Sequence, residues 1–183
     1  MSTLETTRTA LPTGTWTTDA THSTIDFTVK HMLVGKFRAS VPSFSATLVV
    51  DDAGNGKLEG TAAVASVVAS DDNLTAHLAS PDFFDGARFP EIRFSATSIR
   101  VDGDDVTASG DLTVKGVTLP IELKGEISGP AEDPYGNTRL GLDLTTTFDR
   151  TRFGLEFNAP MPGGGFILSN DVKVIAQLEL VRS

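Results

Sequence analysis

Residues 23–31 read Ser-Thr-Ile-Asp-Phe-Thr-Val-Lys-His, and the apolar side chains Ile25, Phe27 and Val29 alternate with Thr24, Asp26, Thr28 and Lys30. A period of two puts the first set on one face of an extended chain and the second on the other, which makes this a strand with one face turned to a core. The alternation returns at Phe44, Ala46, Leu48 and Val50 and at Leu58, Gly60, Ala62 and Val64, with Asp-Asp-Ala-Gly-Asn-Gly at 51–56 between them as a hairpin connection. It returns again over 92–96, 106–114, 119–123, 140–144 and 172–180, for eight strand candidates in all. One helix is expected within 70–84, where Asp71 or Asp72 caps the start, Leu74 and Leu78 stand four apart, and Pro81 stops continuation.

Many strands of similar length with turn signals at 102–105, 115–116, 129–136 and 160–165, and no crossover helices, specify an all-β antiparallel barrel or sandwich. Small residues on the apolar rows, such as Gly60, Ala62, Ala96, Ala108 and Gly110, point to a closed sheet with space inside. The alternative is a lumen plugged by Phe and Leu from opposing strands, because an eight-stranded barrel is just wide enough to be filled or to hold one small ligand.

The 183 residues suit a single domain. Residues 1–13 read as a flexible Thr-rich arm and 14–183 as the domain. With 15 basic and 24 acidic side chains the net charge is −9, which disfavours nucleic acid as a partner. No run of apolar residues is long enough for a transmembrane helix, so no membrane span is expected. The N-terminal stretch carries Glu5 and lacks the apolar core of a secretion signal, so a cytoplasmic location is expected. Cysteine is absent, which removes disulfides, thiol nucleophiles and thiolate metal sites.

Chemistry of other kinds is thinly represented. His22 and His31 are nine residues apart, roughly 30 Å on an extended chain, and neither they nor His77 fall in a metal-ligand pattern. No nucleophile elbow or phosphate-binding glycine motif occurs. Asp pairs at 51–52, 71–72 and 104–105 occupy turn or cap positions. The expectation is no catalytic residue, no metal and no cofactor. Phenylalanine, by contrast, is abundant at 11 residues against one Trp and one Tyr. It concentrates at Phe83, Phe84, Phe89 and Phe94, and at Phe153, Phe157 and Phe166 beside Arg150 and Arg152. These segments serve either as a plug over one end of the barrel or as a greasy lip around a pocket for an amphiphile with a polar head.

Five ordered stretches also carry a resemblance. They are Asp-Ala-Thr-His-Ser-Thr-Ile-Asp-Phe-Thr-Val-Lys-His followed by Gly-Lys-Phe; His-Leu-Ala-Ser-Pro-Asp-Phe-Phe-Asp followed by Phe-Pro-Glu-Ile-Arg-Phe; Gly-Asp-Leu-Thr-Val-Lys-Gly-Val-Thr-Leu-Pro; Asp-Arg-Thr-Arg-Phe-Gly-Leu; and Ser-Asn-Asp-Val-Lys-Val. In these the chain, from about Trp16 to Leu180, resembles the YceI-like family of polyisoprenoid-binding, lipocalin-like domains. The resemblance implies an eight-stranded antiparallel lipocalin-like β-barrel with one short helix capping one end. It also implies a long-chain isoprenoid, quinone-like lipid or fatty-acid derivative in the lumen. Matching motif positions are His22, Ser23, Phe27, His31, His77, Phe83, Phe84, Phe94, Arg150, Phe153 and Gly154. Many family members are exported, whereas this chain shows no signal, and Arg152 stands where the family often has an acidic residue.

Lumen residues expected from the apolar rows are Ile25, Phe27, Val29, Phe94, Leu112, Leu142 and Leu144. With His31, His77, Phe83, Phe84, Arg150 and Phe153 they make up the expected ligand-binding set. The function expected is sequestration, storage or transport of a hydrophobic small molecule without catalysis. Two other readings stand beside it. One is an enzyme using His31 or His77 on an amphiphilic substrate; the other is a solid-core β module pairing through its surface as a homodimer.

Overall fold

A computed structural model describes residues 9–183. Its strands are β1 (Gly14–Thr18), β2 (Thr24–His31), β3 (Gly35–Ser40), β4 (Phe44–Val50), β5 (Gly56–Ala63), β6 (Val68–Ala69), β7 (Glu91–Asp102), β8 (Asp105–Val114), β9 (Val117–Glu132), β10 (Thr138–Asp149) and β11 (Leu168–Arg182). One α-helix among the described residues, α1 (Asp72–Ala79), lies between β6 and β7.

The pairing closes these strands into an eight-stranded antiparallel barrel. β1 and β2 both pair with β11, at Trp16↔Arg182 and at Ile25↔Ala176, so they act as one stave interrupted at 19–23. β3 and β4 form a second broken stave: β3 pairs with β2, and after Pro42 β4 pairs with β1 and β5. From β5 the order runs β7, β8, β9, β10 and β11, which returns to β1. Closure removes the open sheet edges that would otherwise template aggregation.

The expected strands all form, and three short elements escape the alternation. β1 contributes a single inward anchor, Trp16; β3 has only Phe37 and Ala39; β6 is two residues long. The expected turn at 129–136 is displaced. β9 runs on to Glu132 because Gly129 and Pro130 together oppose the single residue Leu140, a bulge that Gly129 accommodates at φ 89°. The turn itself lies at 133–137. There Asp133 Oδ1 accepts from the Tyr135 and Asn137 amides at 2.9 and 3.0 Å, as Asp51 Oδ1 accepts from those of Ala53 and Asn55 at 3.0 and 2.8 Å. Both loops share the order Asp-x-x-Gly-Asn, in which the Asp oxygen substitutes for a backbone acceptor.

Two apolar clusters pack the opposite ends of the barrel. Trp16, Leu48, Ile127, Leu140, Leu142 and Leu180 belong to one, and this end is solid. Leu11 is buried there too, and Trp16 Nε1 donates to the Pro12 carbonyl at 3.0 Å, so residues 11–13 are packed against the domain. A single apolar residue has no periodicity to reveal it. Thr9 and Ala10 are exposed, and residues 1–8 of the expected arm lie outside the described residues. The other cluster combines Leu112 and Val114 with Val64, Leu78, Phe83, Phe84, Phe153 and Leu155 from the helix and loops over the opposite end. Ile25 and Phe94 pack against both.

Candidate functional site

Between the two clusters the barrel is not filled. A cavity of about 490 Å³ occupies the lumen and reaches the helix end, and its wall is almost wholly apolar. That volume lies within the ~300–1,000 Å³ typical of small-molecule sites. The pleat places Ile25, Phe27 and Val29 of β2 on it, as the alternation of residues 23–31 requires, while Thr24, Asp26, Thr28 and Lys30 do not line it. Phe94, Leu112 and Leu144 line it as well. Phe94 pairs across the sheet with Gly60 on one side and Leu112 on the other. A methyl group on Gly60 would make only ordinary contacts at 3.5 Å and beyond, so this glycine leaves space that a larger side chain would consume. The small residues divide by position: Gly60 and Ala62 border the cavity, whereas Ala96 and Ala108 are buried in the solid end.

The helix is held over the mouth by its cap. Asp71 accepts from the Asn73 and Leu74 amides at 2.9 and 3.1 Å, and Ser80 Oγ donates to the His77 carbonyl at 2.6 Å where the helix stops before Pro81. This presents Leu74, His77 and Leu78 to the cavity. Phe83 and Phe84 follow, buried and lining it. Phe84 packs edge-on against Phe27 at 6.1 Å between ring centroids, and His77 sits between Phe83 and Phe157 at 4.9 and 4.6 Å. The imidazole is thus part of an aromatic wall, with Nε2 2.9 Å from Asp82 Oδ2. His31 is at the rim, exposed, at the end of β2.

Arg150 borders the cavity although only 3% exposed. Nη1 donates to the carbonyls of Leu155 and Phe157 at 2.6 and 3.0 Å, and Nε to that of Ser169 at 3.0 Å. Nη2 is buried without a hydrogen-bond partner. Burial pushes the guanidinium pKa down and the neighbouring Asp149 carboxylate pushes it back up. The residue therefore ties 155–157, which crosses the rim, to the start of β11, and leaves a fixed positive charge beside an apolar space.

Two of the expected binding residues lie off this wall. Leu142 belongs to the solid end, where it borders only a void of about 10 Å³. Phe153 is fully buried behind the lining, with its ring 5.2 Å from that of Phe148, which does line the cavity. Leu142 and Leu144 share one face of β10, but only Leu144 reaches the level of the cavity. The lining also includes Phe37, Ile121, Leu123, Val172, Val174 and Phe157. Ile121, Leu123, Val172 and Val174 were available from the same alternation; Phe37 and Phe157 lie in a short strand and a loop, where no period exists.

At the solid end Asp19, His22 and Glu179 bring ligand-type atoms within 4.8 Å of one another. Arg139 Nη1 lies 2.8 Å from both Asp19 Oδ2 and Glu179 Oε1, so a guanidinium already occupies the place a metal would take. No described helix is long and apolar enough to cross a membrane.

Comparison with known proteins matches this architecture. The family model described as YceI-like domain covers residues 16–180. A UPF0312 protein of Staphylococcus aureus (strain bovine RF122) is 31% identical over 167 residues, 90% of this chain and 95% of its own length. Among solved structures, BcnA of Burkholderia cenocepacia superposes with a TM-score of 0.74 at 21% identity, covering 88% of this chain and 98% of its own. A polyisoprenoid binding domain from Saccharophagus degradans gives 0.68 at 15% identity, covering 92% and 98%. With its barrel, its motifs and a family match along nearly the whole described chain, this protein belongs to the YceI-like domain family.

Proposed function

We propose that the protein binds a long-chain amphiphile, a polyisoprenoid or fatty-acid-like lipid, in the barrel cavity and shields it from water as a carrier or store, without catalysis. The observation that carries this reading is the cavity itself, a lumen of about 490 Å³ walled by strand side chains and open toward the helix end. Each buried methylene contributes about 0.8 kcal/mol, so roughly ten would supply some 8 kcal/mol before the costs of association. Affinity then comes from chain length more than from head-group chemistry. The polar side chains on the wall are few, and the buried one, Arg150, is committed to backbone carbonyls, which supports binding of an apolar chain. The Saccharophagus neighbour, described as polyisoprenoid binding, supports the ligand class.

Organic extraction of the purified protein and mass spectrometry test the reading. A long-chain amphiphile is expected at close to one per chain, with rebinding of a fluorescent fatty acid after delipidation. Absence of lipid together with no uptake of either a fatty acid or a prenyl-chain probe overturns it.

A further inference from the structure

The turn between β2 and β3 carries three consecutive apolar residues outward. Met32, Leu33 and Val34 are 46%, 76% and 92% exposed, and Phe166, in the neighbouring loop, is 59% exposed. The tip is joined to the rim of the cavity: the Met32 amide donates to the Ile167 carbonyl at 2.8 Å, and His31 and Ile167 line the mouth. The Val34 amide donates to the His31 carbonyl at 3.2 Å, with Met32 and Leu33 both at positive φ, 51° and 62°. Asn and Gly adopt such a turn with least strain, so bulky apolar residues here serve neither the turn nor the core.

Charge around the tip runs against the rest of the chain. No Asp or Glu occurs between Asp26 and Asp51, whereas Lys30, Lys36 and Arg38 lie on the two strands that carry the tip. Lys30 pairs directly across from Lys36, and Arg38 stands opposite Thr28. Like charges opposed in this way repel. None of the three makes an ion pair with a described residue. Near the mouth, Asp71 is engaged as the cap of α1 and Asp82 by His77, while Glu156 on the rim segment and Asp171 in β11 beside β2 are exposed acids. Salt limits the reach of the distant negative charge to about 8 Å, so a surface meeting the tip would feel mainly the local cations.

The geometry points to the β2–β3 tip as a docking element for an anionic lipid bilayer, with Met32, Leu33, Val34 and Phe166 entering the interface and Lys30, Lys36 and Arg38 facing the head groups. Apolar insertion combined with basic flanks is the chemistry of a reversible interfacial anchor. It sets the cavity mouth against the phase in which a long-chain amphiphile dissolves. That purpose rests on the cargo reading above; the docking surface does not.

Co-sedimentation of the full chain with vesicles of phosphatidylcholine, with and without phosphatidylglycerol, decides the point. Binding to the phosphatidylglycerol vesicles is expected, weaker to phosphatidylcholine alone, and reduced by salt. L33D/V34D lowers it about tenfold or more, and K30Q/R38Q roughly 30-fold at about one kcal/mol per charge. Uptake of a fluorescent fatty acid in vesicle-free buffer accompanies each measurement and is expected to be unchanged, since none of these four residues lines the cavity. Vesicle binding by a protein that takes up no fatty acid supports the docking surface and counts against the cargo reading. Equal binding by wild type and both variants, or none by wild type, overturns the docking surface. So does a dimer in sedimentation velocity that L33D/V34D converts to monomer without any vesicle binding, which would assign the patch to a second copy of the chain.

Discussion

Arg150 Nη1 lies 2.6 Å from the carbonyl oxygen of Leu155, a short charge-assisted hydrogen bond at the edge of an apolar cavity. The same guanidinium also donates to the carbonyls of Phe157 and Ser169. Arg150→Met is therefore expected to strand three carbonyl acceptors and destabilise the fold by about 3 kcal/mol, given roughly 1–3 kcal/mol for leaving a buried partner unsatisfied. Urea unfolding measures this. A loss below about 0.5 kcal/mol would show that the rim does not depend on the clamp.

The division of the lumen into a hollow and a solid part predicts opposite outcomes for one substitution at two alanines. Ala62→Phe projects into the cavity and is expected to weaken fatty-acid binding roughly 15-fold, the equivalent of about two buried methylenes, with little change in stability. Ala96 is fully buried in the solid end. Ala96→Phe is expected to cost about 1–3 kcal/mol or more by overpacking. Calorimetry and a binding titration on the pair would reveal a misplaced cavity as the reverse pattern.

Trp16 is the one tryptophan of the chain and is completely buried in the solid end, with the Arg182 guanidinium 4.7 Å above its ring. Its emission is expected to stay unchanged when lipid fills the cavity and to shift red only on unfolding. Trp16→Ala is expected to cost about 3–5 kcal/mol. A strong ligand-induced change in Trp16 fluorescence would place cargo at the wrong end of the barrel.

Acid sensitivity should originate at the cluster around Arg139, whose guanidinium lies 2.7 Å from Asp133 and 2.8 Å from Asp19. Hydrogen bonds from His22 and then Arg139 hold the Asp19 carboxyl well below the usual range, and Arg139 with the Asn137 amide does so for Asp133. For such depressed carboxylates the stabilisation is complete above about pH 4 and is lost as pH falls through their folded values. His22 is raised by Asp19, so its part is complete below about pH 6.5 and is lost as pH rises through its folded value. Thermal melts against pH should show a steeper acid limb in wild type than in Arg139→Gln. Parallel limbs would remove the cluster from the account.

Much of this was legible in the chain. Alternation at 23–31 and its repeats is a local property, since burying one face of a strand demands apolar residues at every second position whatever the strand pairs with. It located the eight staves, the inward rows of Ile25, Phe27, Val29, Phe94 and Leu112, and, through Asp71 and Pro81, the helix. Ordered motifs added the family. β3 was too short to show a period, and the bulge at Gly129 appears only when two strands are set in register.

What tertiary structure alone decided is depth along the barrel. Leu142 and Leu144 obey the same alternation, and Ala62 and Ala96 are the same residue on inward rows, yet one of each pair faces hollow space and the other a packed core. Periodicity assigns a side chain to a face. Whether that face meets a void depends on the side chains arriving from the other staves at the same level, which strand register and closure set and no single segment contains.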